Sequence, residues 1–571
     1  MNVSPHACRW HFSMVFWVLM IVSTLCSCAR ITALSGGPKD IIPPQLIKVS
    51  PTQESTGFNG KVIKLVFDKE IEVTDIYNKL VVTPRLPRLD KRPSYTCDVR
   101  GKTLKLTLHV PLQEETTYTF NFNDAIRDVT EGNIAVEPVL TFSTGDYVDA
   151  MYVTGQVNHL MTQLPAAKTL VALYQADNEC LNILNSPPDY FTRTDEQGHF
   201  KLDHIKKGKY YMYASTNKEY QLVGNPGVDE YGFLKHPIDL TVAPRDNVTL
   251  LILKADVRTF TLQSQQPQDR YFELSFNKPV EDYTLELVRE SQGLKKSATL
   301  CSQLVASKQI IRVYNTFDLS KGDSLEAHLT AKDAMGNVIE ENVTIYFKEG
   351  RYPNDPASYV FAPASGTAIP PHFTGTMTVS KPVKEVVAAY LRFDINGQGS
   401  VCVDAKDLQF NAQRDIITIK KQLDLGIMKP LESRDNASKG AKELVLQMAE
   451  GAFVTVEGDV SKEMCYVYTL GYPEEFGTIK GTVTTEAPGF IVQLLDLESN
   501  VIDSVRNRRN YQFNAVAPGS YRLRLLVLQD KESEWSFGNI HERREPDPVV
   551  FYPDNVAVIA NWEIEGIDFF F

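Results

Sequence analysis

The chain has 571 residues, more than a single hydrophobic core normally supports, so several domains are expected. Its 43% hydrophobic and 23% charged residues are ordinary for folded protein, and nothing in the composition calls for a cofactor. A formal charge of −12 with no basic stripe argues against a nucleic-acid partner, because phosphate binding needs a concentrated basic surface.

The chain opens with Arg9 ahead of the apolar run Met14-Val15-Phe16-Trp17-Val18-Leu19-Met20-Ile21-Val22. A bilayer core takes about 20 apolar residues as a helix, so this run suits a signal peptide and not a membrane span. Leu25-Cys26-Ser27-Cys28 follows and resembles the bacterial lipobox. The resemblance implies cleavage after residue 27 and acylation of Cys28, giving a membrane partner through the N-terminal lipid. Residues 28–44, with Ser35-Gly36-Gly37-Pro38 and Pro43-Pro44, have the composition of a tether.

Beyond Pro44 the apolar residues alternate more often than they follow a helical period. Val62-Ile63-Lys64-Leu65-Val66-Phe67, Leu104-Lys105-Leu106-Thr107-Leu108 and Tyr118-Thr119-Phe120-Asn121-Phe122 predict strands with one buried face. Frequent Gly, Pro, Asn and Asp punctuation then points to an all-β chain of tandem β-sandwiches. Internal repetition sets their number. Leu65-Val66-Phe67-Asp68-Lys69-Glu70-Ile71 is echoed by Leu274-Ser275-Phe276-Asn277-Lys278-Pro279-Val280 and by Thr378-Val379-Ser380-Lys381-Pro382-Val383. Each copy has a closing unit downstream, at 117–133, 324–337 and 443–459.

A second repeat separates these. Val153-Thr154-Gly155-Gln156-Val157 and Ile479-Lys480-Gly481-Thr482-Val483 open it, and Lys207-Gly208-Lys209-Tyr210 and Pro518-Gly519-Ser520-Tyr521 recur later, with the glycine expected to supply a turn. The expected domains are therefore a signal peptide at 1–27, the tether at 28–44, Ig-like domains at 45–147, 256–351 and 352–475, and transthyretin-like domains at 148–255 and 476–571.

With those stretches in hand, the chain resembles the multidomain Ig-like lipoproteins of the Bacteroidetes, in which bacterial Ig-like domains alternate with carboxypeptidase-regulatory, transthyretin-like domains. Gly36-Gly37-Pro38-Lys39-Asp40, Asn123-Asp124-Ala125-Ile126, Glu131-Gly132-Asn133 and Phe142-Ser143-Thr144-Gly145-Asp146 carry it in the first domain. The segments 192–210 and 552–562 extend it to both transthyretin-like modules. It implies an outer-membrane location. Surface-exported members carry acidic residues after the acylated cysteine, whereas Ala29-Arg30-Ile31-Thr32 stands here, which favours the periplasmic face.

Candidate sites are sparse. Cys97, Cys180, Cys301, Cys402 and Cys465 form no CxxC pair, so zinc is not expected. Cys402 and Cys465 share a domain and could form a disulfide, although small buried thiols are the favoured reading. Loops at Asn217-Lys218-Glu219-Tyr220 and Asp530-Lys531-Glu532-Ser533-Glu534 stand where relatives suggest calcium, but their lysines spoil an oxygen cage. His541-Glu542-Arg543-Arg544-Glu545 lacks the second histidine of a zincin and reads as a solvated charged loop. His199 and His204 have an odd spacing, which on a regular strand points them to opposite faces. No metal site and no catalytic residue is assigned. Trp535 and Trp562 are expected to pack in the last module. Asp323-Ser324-Leu325 and Asp503-Ser504-Val505 match a short O-glycosylation pattern at Ser324 and Ser504. The function expected is a non-catalytic envelope scaffold that binds a protein partner. Glycan capture is the alternative, and a hydrolase with a site between domains is the weaker third reading.

Overall fold

The computed structural model describes residues 39–571 apart from 88, 90, 91, 137, 178–187, 218–226, 289–299, 318, 320, 321, 349–354, 396–398, 424–442 and 472. Cys28, the signal segment, Cys180 and the loop residues Lys218, Glu219 and Tyr220 lie outside the described residues. Among the described residues, no helix is long and apolar enough to cross a membrane. The chain divides into two compact units, Met1–Asp149 and Ala150–Phe571. β-Sandwiches build both, one in the first unit and several in tandem in the second, and among the described residues five main apolar cores follow one another along the chain.

The first unit holds one module. Its strands Leu46–Ser50, Val62–Phe67, Thr103–Leu108 and Tyr95–Arg100 lie side by side in that order, facing a sheet of Val81–Thr83, Thr117–Asn121 and Val139–Ser143. The alternation in Val62–Phe67 does what the pattern demands: Ile63, Leu65 and Phe67 are fully buried while Lys64 is exposed. Phe120 and Phe142, on neighbouring strands of the facing sheet, stack on one another.

The echoed segments of the three modules that share this repeat make the same backbone bonds. Phe67 and Ile71 donate their N–H groups to Lys102 O and Gly101 O; Phe276 and Val280 donate to Gln309 O and Lys308 O; Val379 and Val383 donate to Asp415 O and Arg414 O. Each strand thus ends on a hairpin tip, bends, and restarts against the strand that closes the module: Ile71 faces Asp128, Val280 faces Asp333, and Val383 faces Thr455.

The bend lysine has a role that the repeat alone does not disclose. Lys278 is paired with Asp333, both side chains being only 2% exposed, and its Nζ also donates to Asp256 O (3.1 Å) and Arg258 O (2.6 Å). Lys381 Nζ reaches Glu457 (2.6 Å) and Asp459 (2.8 Å). Lys69 Nζ donates to Asp40 Oδ2 and to Ile42 O, both at 2.6 Å. Two of the three lysines, Lys69 and Lys278, therefore pin the segment entering their module.

The other repeat has an equally local cause. A side chain at Gly155 would collide with the carbonyl oxygen of Val248, and one at Gly481 with that of Ile567, each on the segment that pairs parallel to the opening strand. Tyr210 Oη donates to Lys206 O and Tyr521 Oη to Ala517 O, both at 2.8 Å. Neither Gly208 nor Gly519 has positive φ, so neither is needed for a left-handed turn; a side chain at Gly208 would crowd the Tyr210 ring at 3.3 Å, whereas one at Gly519 would meet Tyr521 at an ordinary 3.5 Å. That corrects the role expected of them. His204 is no ordinary strand residue either: it has φ 57° at an irregularity between Met151/Val153 and the facing strand, and Ala515 (φ 52°) takes the same place in the last module.

Candidate interaction surfaces

Within the second unit the last module packs against the first. Strand Gly519–Leu528 buries both faces over Leu523-Arg524-Leu525-Leu526-Val527-Leu528. Leu523, Leu525 and Val527 enter their own core; Leu526 and Leu528 join Trp535, Leu160 and Leu253 in a seam shared with the 150–255 module. A second apolar cluster gathers Tyr174, Tyr213, Tyr231 and Phe233 around Ile540, with Phe537 and Met335 at its edge. Met335 belongs to the 256–351 segment, so three modules meet there.

Polar groups fix the register of this seam. Arg524, 8% exposed, donates through Nε to Gln493 Oε1 (2.7 Å) and through Nη1 to Met161 O (2.7 Å), while Arg522 Nη2 donates to Thr162 O (2.8 Å). Burial, with Arg522 as a like-charged neighbour, holds the Arg524 guanidinium below its ordinary pKa. Neutral carbonyls thus solvate a charge that has left water. Trp535 Nε1 donates to Asp547 O (3.1 Å), which satisfies its polar end inside the cluster.

The string His541 to Glu545 is a turn that docks on the other module. Arg543 lies 3.5 Å over the Tyr211 ring, and Glu545 Oε1 accepts the N–H of Lys235 at 3.0 Å. His541 and Glu542 remain exposed. The expected solvated loop is therefore corrected for Arg543, while Glu545 stays exposed as it makes its contact. Glu545 also borders an open cavity of about 560 Å³ whose other walls include Lys235, His236, Asp239 and Arg245. Asp530, Lys531 and Ser533 form a tight loop closed by Arg506, which donates to Lys531 O (3.1 Å) and Ser533 O (2.5 Å).

Cys402 and Cys465 are exposed free thiols. The pairing of Cys402 with Arg392, of Arg392 with Gln447 and of Gln447 with Cys465 puts them on one rung, three strand spacings apart. At about 4.8 Å per spacing this is roughly 14 Å, twice the reach of a disulfide at about 7 Å. The disulfide reading is corrected accordingly, and so is the expectation that these thiols are buried. Cys97 and Cys301 are partly buried, and burial pushes both thiols up to about 11.

Ser324 is exposed just before strand Leu325–Asp333. Ser504 is exposed on Val501–Arg506, the border strand of its sheet, where its N–H is held by Asp503 Oδ1 at 2.7 Å. Trp535 is buried as expected, but Trp562 is 61% exposed beside the exposed Ile559. His199 sits near Asp195 at 3.7 Å, on the surface. Among the described residues, no group of three or more His, Cys, Asp or Glu could hold a metal ion.

The seam left a sequence signal that alternation hides. Leu250-Leu251-Ile252-Leu253 and Leu525-Leu526-Val527-Leu528 are continuous runs, and Leu251, Leu253, Leu526 and Leu528 face the neighbouring module while Leu250, Ile252, Leu525 and Val527 fill the cores. Unbroken runs of this kind mark strands covered on both faces.

Residues 40–144 match the bacterial Ig-like domain family. Comparison with curated protein sequences gives no match. Among solved structures, the S-layer protein rSbsC aligns at 10% identity and TM-score 0.14 over 90% of this chain, which spans 66% of the S-layer chain's length. BcpA, the major pilin subunit of Bacillus cereus, aligns at 11% identity and TM-score 0.13, covering 74% of this chain and 99% of its own. The four N-terminal Ig domains of Dscam1 align at 8% identity and TM-score 0.14, covering 73% and 98%. Scores this low say nothing about function. The chain is built of tandem β-sandwiches, and its first module is similar to the bacterial Ig-like domain family.

Proposed function

We propose that this protein is a non-catalytic, lipid-anchored scaffold of the cell envelope that presents strand edges to a protein partner. The observation that carries the reading is the seam in the second unit, which locks the last module onto the 150–255 module and holds its outer border in a fixed frame. That border is Val501–Arg506, with Val501 and Ile502 exposed. An open edge offers backbone donors and acceptors to an added strand, and the exposed side chains provide selectivity. A glycan on Ser504 would cover the same edge, so modification and strand addition exclude each other there.

The anchor rests on Leu25-Ser27-Cys28 and on the resemblance to Bacteroidetes lipoproteins, which also supports the outer membrane and its periplasmic face. Crosslinking in native membranes followed by pull-down is expected to recover one envelope protein, lost when Val501 and Ile502 are both changed to Lys. Recovery that is indifferent to those changes overturns the edge reading. Labelled palmitate is expected to enter the wild type and not Cys28→Ala, and protease shaving of intact cells is expected to leave the body uncut.

Trp562 favours a second reading. An indole 61% exposed beside Ile559 is a platform on which a sugar ring can stack. Glycan-array binding abolished by Trp562→Ala would replace the protein partner with a polysaccharide.

A further inference from the structure

The first module carries a patch at the end where the chain enters it. Ile41 is 76% exposed, and Ile42, Val129, Ile134 and Val136 are exposed with it. Asn133 Nδ2 donates to Asp40 O (2.7 Å), Lys69 Nζ donates to Ile42 O (2.6 Å), and the N–H of Val129 donates to Glu70 O (3.1 Å). These bonds bring the entry segment, the Lys69 bend and the 128–136 turn to one tip, and their aliphatic side chains face solvent. Scattered exposed aliphatics are ordinary on a protein surface, whereas a group from separate segments at one tip marks a contact.

Several charges at this tip are held internally, while Glu70 is exposed. Lys69 holds Asp40, Arg127 Nη2 lies 3.5 Å from Asp124, and Asp128 accepts the N–H groups of Glu131 and Gly132. A surface whose ions are matched internally meets a lower cost on approaching a less polar medium than one with bare charges. The chain leaves the module at its other end, where Asp149 and Thr117 exchange hydrogen bonds of 2.8 and 3.3 Å.

We propose that this tip is a membrane-contact surface, with Ile41, Ile42, Val129, Ile134 and Val136 resting in the interfacial region of the bilayer that holds the lipid. The inference rests on the reading of Cys28 as acylated. Asp40 stands twelve positions after Cys28, so the entry point lies at most about 40 Å from the anchor. The tether therefore delivers this end of the module, and not the end at Asp149, to the lipid surface. Aliphatic side chains at the headgroup boundary leave water without crossing the membrane.

The test is hydroxyl-radical footprinting of the full-length lipidated chain on vesicles of phosphatidylethanolamine and phosphatidylglycerol, beside the Cys28→Ala chain with and without the same vesicles. Oxidation of Val129, Ile134 and Val136 is expected to fall several-fold on the vesicles, while Val242, exposed in the second unit, keeps its rate. Intact mass separately reports whether Cys28 is acylated. If the mass shows no lipid, the anchor reading fails alone, and the tip is still judged by the Cys28→Ala chain at high vesicle concentration. Unchanged oxidation on vesicles in both chains overturns the proposal. So does protection that needs only more protein, which assigns the tip to a second copy, or protection in every condition, which assigns it to residues 29–38. Ile134→Asp with Val136→Asp should restore oxidation of Val129 on vesicles and leave circular dichroism unchanged; continued protection of Val129 in that variant also counts against membrane contact.

Discussion

Replacing the bend lysine with methionine in each of the three repeat-bearing modules should destabilise the modules in order of burial, although the three positions are equivalent in sequence. Methionine keeps most of the stem volume and removes the charge. In Lys278→Met the Asp333 carboxylate, 2% exposed, loses its cation but keeps the N–H groups of Met335 and Asn337. Breaking a buried pair from one side costs about 3–5 kcal/mol, and the retained donors put this case near 3. In Lys69→Met the lost partner is Asp40, which is 41% exposed, against 24% for Lys69 itself. Water then takes over, and the cost is about 0–1 kcal/mol. Lys381→Met should fall between, because Glu457 and Asp459 are 8% and 14% exposed and are left facing one another. Native-state hydrogen exchange on the full chain reads each module separately. Strand Leu325–Asp333 should lose protection by that larger amount in Lys278→Met, and amides 256–260 should loosen with it. Equal losses in Lys278→Met and Lys69→Met would refute the burial argument.

Trp535→Ala removes the largest side chain of the seam, at a cost of about 3–5 kcal/mol, and should raise exchange at Leu160 and Leu253 in the facing module; unchanged exchange there means that the seam is not closed in solution. Gly481→Ala should cost about 1–3 kcal/mol through overpacking against Ile567 O, seen as lost protection at Phe569 and Phe570, whereas Gly519→Ala, whose nearest neighbours stand at 3.5 Å, should be near neutral. The Glu131 and Gly132 N–H groups and the Asn133 amide hold the Asp128 carboxyl below its usual value of 3.8. The stabilisation this gives the first module is present above that pH and is lost as pH falls through the lower folded-state value, so Asp128→Asn should flatten the acid loss of protection at Glu131. Alkylation of the folded chain, followed by peptide mapping, should modify Cys402 and Cys465 quickly without reductant and Cys97 and Cys301 slowly.

The strands of the cores were legible wherever one face is wet. Val62–Phe67 and Tyr118-Thr119-Phe120 alternate because their outer faces meet water, and alternation is a local property. What stayed hidden depends on register between distant strands. Cys402 and Cys465 share a module in sequence, and only the three intervening strand pairings show how far apart they lie. Lys278 reads as a polar bend residue until Asp333, more than fifty positions on, is placed beside it. Gly208 reads as a turn glycine because a turn is the commonest reason for glycine, whereas its neighbour's ring supplies the actual constraint. Trp562 and Trp535 are alike in sequence and opposite in exposure, since one sits beyond the border of a sheet and the other under a second module. The proposed lipidation of Cys28 is the reverse case, a reading that rests on a short local motif outside the described residues.

Docking in the second unit uses faces and leaves borders. The outward face of Gly519–Leu528 is taken by Leu160, Leu253 and the carbonyls of Met161 and Thr162, and the outward tyrosines of Leu170–Gln175 and Lys209–Ser215 are taken by Phe537, Ile540 and Arg543. On the far side of the last module's sheet, Val501–Arg506 stays open with Val501 and Ile502 leading; Asp503 is exposed on the same strand, and Arg506 is turned back onto Lys531 O and Ser533 O. A partner that needs only this edge should still be captured by Trp535→Ala, in which the seam loosens and the strand persists. A partner that reads the edge together with the 150–255 module should be lost from the same variant, because the frame joining them has opened. Capture by Trp535→Ala at wild-type yield would therefore assign the recognition to the strand alone and leave the seam a purely structural part.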